Sequence, residues 1–305
     1  MNDPFTENRS LLFGIAYRML GRVAEAEDMV QETFLRWQQQ DAAAIRQPRA
    51  WLTTAITRLC IDHLRLARTQ REEYYGLWLP EPLVSEGPAS PDHTGALADS
   101  LGMAFLLMLE ELAPLDRAVF LLREAFDYDY ADIALTVDKS EAACRQIVSR
   151  AKAKLGRREV SAPTSSSAAS EKVVRQFLAA CESGNVQDLL ATLTDDAVYY
   201  GDGGGVVKAA PRPIRSGLYV SRFFAGIGKK LAQHFPDALA RHRLVQVNGE
   251  MGVLTQRVDG VLTISTFAFE NGRIKALYIV SNPEKLAGVP AKLIAELGAK
   301  PPGVL

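Results

Sequence analysis

Between Lys139 and Arg158 the chain carries seven cations, Lys139, Arg145, Arg150, Lys152, Lys154, Arg157 and Arg158, against one carboxylate, Glu141. A looser second set, Arg58, Arg65, Arg68 and Arg71, is interrupted only by Asp62, which reads as a local ion-pair partner. Cations at this density attract polyanions, and two separate strips suit a partner met along two narrow surfaces. Solvated helix faces can also be basic, so the spacing between the charges has to decide. Cys60, Cys144 and Cys181 lie far apart with no CxxC pair. They read as small buried hydrophobes, and neither a disulfide framework, a zinc site nor any other metal site or cofactor is expected.

The spacing within the stronger strip is informative. Projected at about 100° per residue, Cys144, Ile147, Val148, Ala151 and Leu155 fall on one side of a helix. Ala142, Gln146, Ser149, Arg150 and Ala153 fall on the other, with Arg145, Lys152 and Lys154 flanking them. Ser140 is a good N-cap, Thr136 to Lys139 a turn, and Tyr130 to Leu135 a short helix before it, which together predict a helix-turn-helix. Small side chains permit close approach to a major groove, Gln146 and Arg150 can address base edges, and the flanking cations meet phosphates.

The rest of the chain must position these residues. Its 305 residues are 48% hydrophobic, enough for two or three ordinary domains and too much for a disordered chain. The formal charge is -1, divided as -5 over residues 1–160 and +4 over 161–305. No apolar run is long enough to span a bilayer, and MNDPFTENRS lacks the layout of a secretory signal, so a soluble cytoplasmic protein without membrane partners is expected. GLWLPEPLVSEGPASP (76–91) forbids a regular helix, and SAPTSSSAAS (161–170) reads as a flexible tether.

Before the first break, apolar residues recur at helical spacing through Leu12, Ile15, Ala16 and Met19, then Met29, Val30, Thr33, Phe34 and Trp37, then Leu52, Ala55, Ile56 and Leu59. After the tether a helix over 171–182 precedes strand-like runs at 197–200, 243–247, 252–258, 262–269 and 274–280. Asn248-Gly249, Asp259-Gly260 and Asn271-Gly272 separate consecutive runs and are strong hairpin signals. The expected fold is therefore multidomain: two all-α domains, the second with the helix-turn-helix, then an α+β domain with a curved antiparallel sheet.

The first two segments resemble the two domains of an extracytoplasmic-function (ECF) sigma factor, the subunit that directs bacterial RNA polymerase to promoters. Ala26-Glu27-Asp28-Met29-Val30-Gln31-Glu32-Thr33-Phe34 resembles that family's polymerase-docking helix, and Pro48-Arg49-Ala50-Trp51-Leu52 through Asp62 and Arg71 its promoter-melting region. The helix-turn-helix resembles its reader of the minus-thirty-five element. Trp78-Leu79-Pro80-Glu81-Pro82, Asp202-Gly203-Gly204-Gly205 and Asn282-Pro283-Glu284-Lys285-Leu286 are similar to motifs of the SigJ-like subgroup, whose last domain is SnoaL-like, of the NTF2-like fold. The chain departs in one place: Val206 stands where the subgroup has lysine. If the segment were extended, Lys208 would share the face of the missing amine.

The resemblance implies a division into 1–75 (sigma region 2), 76–95 (linker), 96–160 (region 4), 161–170 (tether), 171–285 (SnoaL-like regulatory domain) and 286–305 (tail). It assigns Asp28, Gln31 and Phe34 to the polymerase core, although Phe34 reads equally well as core of its own domain. Arg58 stands where many members carry Asn in the loop that captures a flipped base, with Arg65, Arg68 and Arg71 to hold the opened strand. Arg145, Gln146, Ser149, Arg150, Lys152 and Lys154 fall on paired promoter DNA. Trp78, Leu79, Pro80, Glu81 and Pro82, with Asp202, Gly203, Gly204, Gly205, Lys208, Asn282 and Pro283, become regulatory interdomain residues, the stiff linker with its apolar anchor being expected to dock on the third domain.

The glycines lack phosphate-loop spacing and read as a loop whose backbone closely approaches a neighbouring domain. The pocket of the SnoaL-like fold, with Tyr219, Phe223, Phe224 and Phe235 as wall candidates, could take a small apolar ligand. Two other readings stand beside the sigma factor. One is a one-component helix-turn-helix regulator with a ligand-sensing domain. The other is a SnoaL-like isomerase or hydrolase, for which Asp195, Asp196, Tyr199, His234, Asp237 and His242 are the available groups; no spacing among them marks a catalytic pair, and the chain is read as no enzyme.

Overall fold

The computed structural model describes residues 3–41, 45–72, 74–85, 102–156, 168–235 and 240–297. These fall into two compact units: residues up to 72 together with 105–156, and residues 74–85, 102–104 and 168–297.

The first unit is helical. Helix α1 (Pro4–Leu20) starts at an Asp3 cap with Pro4 in its first turn and ends at Gly21, whose φ of 73° closes the helix in the left-handed region. Helices α2 (Val23–Gln38) and α3 (Pro48–Glu72) follow, and Leu12, Ile15, Ala16, Met19, Val30, Trp37, Leu52, Ile56 and Cys60 are buried between the three. Past strand β1 (Val84–Ser85) come α4 (Met103–Leu109), which runs into the first unit, α5 (Pro114–Glu124), α6 (Tyr130–Val137) and α7 (Glu141–Leu155). Arg117, buried on α5, donates to the Met19 carbonyl at 2.5 Å and to Glu110 at 2.8 Å, placing a paired cation at the C-terminal end of α1. Helix α6 runs two residues beyond the expected Leu135, since Asp138 takes the left-handed conformation that ends it (φ 54°).

In the second unit, α8 (Ala168–Ser183), α9 (Val186–Thr192), strands β2 (Leu193–Asp202) and β3 (Ile214–Arg215) and α10 (Gly217–His234) precede a meander of β4 (Arg241–Val247), β5 (Glu250–Gln256), β6 (Leu262–Glu270) and β7 (Arg273–Val280). Short helices α11 (Pro283–Leu286) and α12 (Ala291–Ala295) close it. The sheet order is β1-β4-β5-β6-β7-β2-β3. Asn248-Gly249 and Asn271-Gly272 take positive φ at both residues, as tight hairpins require, while in the β5–β6 connection only Gly260 does.

The expectation of an antiparallel sheet needs one correction: β2 runs parallel to β7. Hairpin signals govern only consecutive strands, and this pairing joins strands separated by β3, α10 and β4 to β6. Register shifts between Leu193 and Val198 and between Ala268 and Phe269 bend the sheet, and α8 to α10 cover it over a core that includes Phe177, Leu189, Tyr199, Val220 and Phe267.

Candidate nucleic-acid interface and linker anchor

Helix α7 is fixed by its N-cap and its buried stripe. The Ser140 hydroxyl accepts from the Ala143 amide at 3.2 Å, and Cys144, Ile147, Val148, Ala151 and Leu155 are buried. Ser140→Ala should therefore cost about 1 kcal/mol, seen as a lower unfolding midpoint of the first unit. On the other side Gln146, Ser149, Arg150, Lys152 and Lys154 are exposed. Arg145 pairs with Glu141 at 2.8 Å and lies over the Tyr130 ring, Lys152 pairs with Glu124 at 2.7 Å, and Lys154 donates to the Glu111 carbonyl. Among the described residues Gln146, Ser149 and Arg150 have no such partner. The margin of the face is thus braced from below, while its middle presents free hydrogen-bonding groups.

On α2, Asp28 and Gln31 are exposed, and Phe34 is half-buried with its ring centroid 4.8 Å from that of Phe5. Phe34 therefore serves its own core while keeping an exposed edge beside Leu35, which is 45% exposed. On α3, Arg65 pairs with Asp62 at 3.2 Å, the expected local partner. Arg58 is held differently. Its Nε donates to the Thr136 carbonyl at 2.8 Å and its Nη2 to the Leu135 carbonyl at 3.1 Å, so it serves the last turn of α6. The hydroxyls of Thr53 and Tyr128, 2.8 Å apart, and of Thr54 and Thr136, 3.2 Å apart, extend this seam between α3 and the helix-turn-helix. The side chains of Arg68 and Arg71, like Arg157 and Arg158, lie outside the described residues.

The linker is held in the second unit by one carboxylate with four donors. Asp202 Oδ2 accepts from the Leu79 amide at 2.9 Å and from Lys285 Nζ at 2.7 Å; Oδ1 accepts from the Tyr74 hydroxyl at 2.5 Å and the Gly204 amide at 3.0 Å. The side chains of Asp202 and Lys285 are 0% and 1% exposed, a buried ion pair whose remaining valences are filled. Lys285 also donates to the Leu79 carbonyl at 2.5 Å, with its Nζ 4.2 Å from the Trp78 ring centroid and 5.0 Å from that of Tyr74. Leu79 is fully buried, and Pro80, Glu81 and Pro82 are buried after it. The chain then pairs as an added edge strand: Leu83 and Asn248 exchange hydrogen bonds at 2.9 and 3.1 Å, and Val84 and Ser85 run antiparallel to Val247 and Gln246.

The amine of this anchor is not Lys208, as the sequence suggested, but Lys285. The segment after the glycines is a turn, with the amides of Val206 and Val207 both donating to the Gly203 carbonyl, so alternate residues share no face and Lys208 is exposed. The glycines mark close approach within the second unit and not to a neighbouring one: a Cβ on Gly204 would lie 2.4 Å from the Asn282 amide group, and one on Gly205 3.4 Å from Tyr75. Asn282 in turn donates to the Tyr74 hydroxyl at 3.0 Å and caps α11, which Pro283 opens. Tyr74, Asn248 and Lys285 were absent from the expected site. Only Lys285 left a trace in the sequence, inside the Asn282 to Leu286 run.

Glu250, at the start of β5, faces Gly102, where a Cβ would sit 2.1 Å from its carboxylate. Burial pushes the Glu250 carboxyl up from 4.5 to about 7. The folded state thus binds this proton more tightly than the unfolded chain, and stability falls as pH rises from about 4.5 to about 7, with the full penalty above that window. Glu250→Gln should accordingly raise the unfolding midpoint near pH 8 relative to wild type, and the gain should vanish near about pH 4.

A cavity of about 340 Å³ lies among α8, α10 and the sheet, lined by Phe223, Phe224 and Phe235 as expected, and by Phe177, Tyr199 and His242. Tyr219 is not in this wall; α10 turns it outward, 60% exposed. Of the groups considered for acid–base chemistry, Tyr199 and His242 both line this cavity, whereas Asp195 and Asp196 are exposed, Asp196 pairs with Lys275, His234 bonds the Lys230 carbonyl, and Asp237 lies outside the described residues.

Among the described residues no helix is long and apolar enough to cross a membrane. Two family models match the chain, Sigma-70 region 2 over residues 5–70 and Sigma-70 region 4 over residues 102–155. The ECF RNA polymerase sigma factor SigJ of Mycobacterium tuberculosis is 35% identical over 99% of the chain and 97% of its own length. A probable ECF RNA polymerase sigma factor, SigI, of the same species is 31% identical over 94% of each. The crystal structure of M. tuberculosis SigJ superposes with a TM-score of 0.76 at 34% identity, covering 94% of this chain and 98% of that one.

Proposed function

This chain belongs to the ECF RNA polymerase sigma factors, and on that premise we propose how its parts divide the work. As a sigma factor it binds RNA polymerase core and directs transcription initiation at promoters. Asp28, Gln31 and the exposed edge of Phe34 dock on the core enzyme. Arg65, Arg68 and Arg71, with Arg58 once released from α6, hold the opened strand, and the exposed face of α7 reads the paired upstream element. The working divisions are 1–75, 76–95, 96–160, 161–170, 171–285 and 286–305, with 171–285 regulating in cis and its cavity receiving a small apolar ligand.

One observation carries the regulatory part: the linker that joins the two DNA-reading modules is buried against Asp202 and Lys285 of the third domain. Two weak modules on one chain gain affinity through effective concentration only when their separation fits the DNA. A domain that grips the segment between them sets that separation. The two arrangements differ in named contacts, because Arg58 and Thr54 bond α6 in the compact one and are freed in the other. Capture of purified bacterial core polymerase by the full chain tests the docking role. Asp28→Lys should weaken capture by about tenfold, the effect of one misplaced charge pair. Capture unaffected by Asp28→Lys and Gln31→Glu together would remove α2 from the interface.

A further inference from the structure

We propose that the cavity of the C-terminal unit is a site for a flat ring compound carrying an anionic group, its rings held by the aromatic wall and its anion by Arg257. This rests on the ligand-receiving reading above and goes further by naming the chemistry.

The cavity's size of about 340 Å³ is in the range of small-molecule pockets, roughly 300 Å³ upward. A void of that size in an ordinary core would forfeit packing along its whole lining. One wall is aromatic: Phe177 meets Phe224 at 5.3 Å with planes at 78°, and Tyr199 meets the same ring at 5.2 Å and 80°. Faces and edges are both on offer, which suits a planar guest.

The opposite wall follows from strand register. His242 of β4 pairs with Thr255 of β5, and Thr255 with Thr263 of β6, so one polar row crosses three strands on the cavity face. Ser281, just past β7, lines the cavity as well. Hydroxyls on the inner face of a sheet are costly in a plain core and useful beside a polar guest. His242 is already committed, its Nδ1 to Thr255 at 2.9 Å and its Nε2 to Glu182 at 3.1 Å.

Arg257 is not fully committed. Its Nη2 pairs with Asp259 at 2.7 Å, while its Nε is buried with no hydrogen-bond partner among the described residues. A buried guanidinium N–H left over beside a cavity is a donor waiting for an acceptor. The other charged groups in the lining are Lys208, a second cation, and Glu182, which is spent on His242. Burial pushes the Tyr199 phenol up to about 12 and the Cys181 thiol up as well, so neither adds negative charge. With Asp259 paired to Arg257 the charges around the cavity balance, so it is the unpartnered Arg257 Nε, and not net charge, that selects a guest bearing an acceptor anion.

The test titrates the full-length protein with anilinonaphthalene sulfonate and with uncharged phenylnaphthylamine, which share a ring system and differ by the sulfonate. The sulfonate should occupy one saturable site, raise the thermal midpoint as native-state ligands do, and bind about tenfold tighter than the neutral probe. Arg257→Gln should erase that difference while leaving the neutral probe's affinity unchanged. Ser265→Phe, which fills the cavity, should abolish both; Thr255→Trp serves if that variant fails to fold. Equal binding of the two probes, insensitive to Arg257→Gln, overturns the anionic site and leaves the apolar-ligand reading standing. Binding of neither probe, or binding indifferent to the cavity-filling variant, overturns both.

Discussion

Asp202→Ala is expected to release the linker. The substitution deletes the acceptor of four hydrogen bonds and leaves the Lys285 ammonium buried beside the Leu79 carbonyl and two aromatic faces without this carboxylate. Removing one partner of a buried pair typically costs about 3–5 kcal/mol, because the survivor is an uncompensated charge. The Leu79 amide, which donates to Asp202, reports the loss directly. Its hydrogen exchange should accelerate by roughly a hundred- to four-thousandfold, following about 1.4 kcal/mol per decade. Adding Lys285→Met to the same chain should recover part of that protection by removing the buried ammonium that has lost this carboxylate. Unchanged exchange at Leu79 in the single variant would mean that the carboxylate does not hold the linker.

The second large effect is expected on α7. Among the described residues Arg150 has no partner in the middle of the exposed face, whereas Lys152 is braced by Glu124 at 2.7 Å at its margin. Arg150→Ala should relax promoter choice by about 1–3 kcal/mol at one base position, roughly five- to 150-fold in a competition between matched and mismatched promoters. Lys152→Ala should weaken binding to all sequences alike and lower the salt dependence by about one counterion. Selectivity that survives Arg150→Ala undiminished would move base readout to another residue.

The contrast between these two sites shows what one dimension of sequence carries. The buried stripe of α7, its cap and its exposed face were all legible, because a helix writes its environment into residues three and four apart. Leu79 and Asp202 are 123 residues apart and Asp202 and Lys285 are 83 apart, so no local period connects them. Buried lysine is also rare enough that composition argues against expecting it. The Lys208 expectation failed for a local reason: it assumed an extended segment where two left-handed glycines, Gly204 and Gly205, make a turn.

Arg58 illustrates the same limit. Its type suggested nucleic acid, but its partners are carbonyls 77 and 78 residues away, exposed by the end of a helix whose place in space the sequence does not state. The parallel pairing of β2 with β7 was hidden likewise, since turn chemistry specifies neighbours in the chain and not strands that meet after a long excursion.

Reconstituted transcription tests the central claim most directly. Purified bacterial core polymerase, a promoter-bearing template and the full-length protein should yield a transcript with a defined start, absent without the protein, and Asp202→Ala should change its yield without moving the start. A protein that binds the duplex tightly alone, yet never makes core polymerase initiate at low salt, would contradict the account.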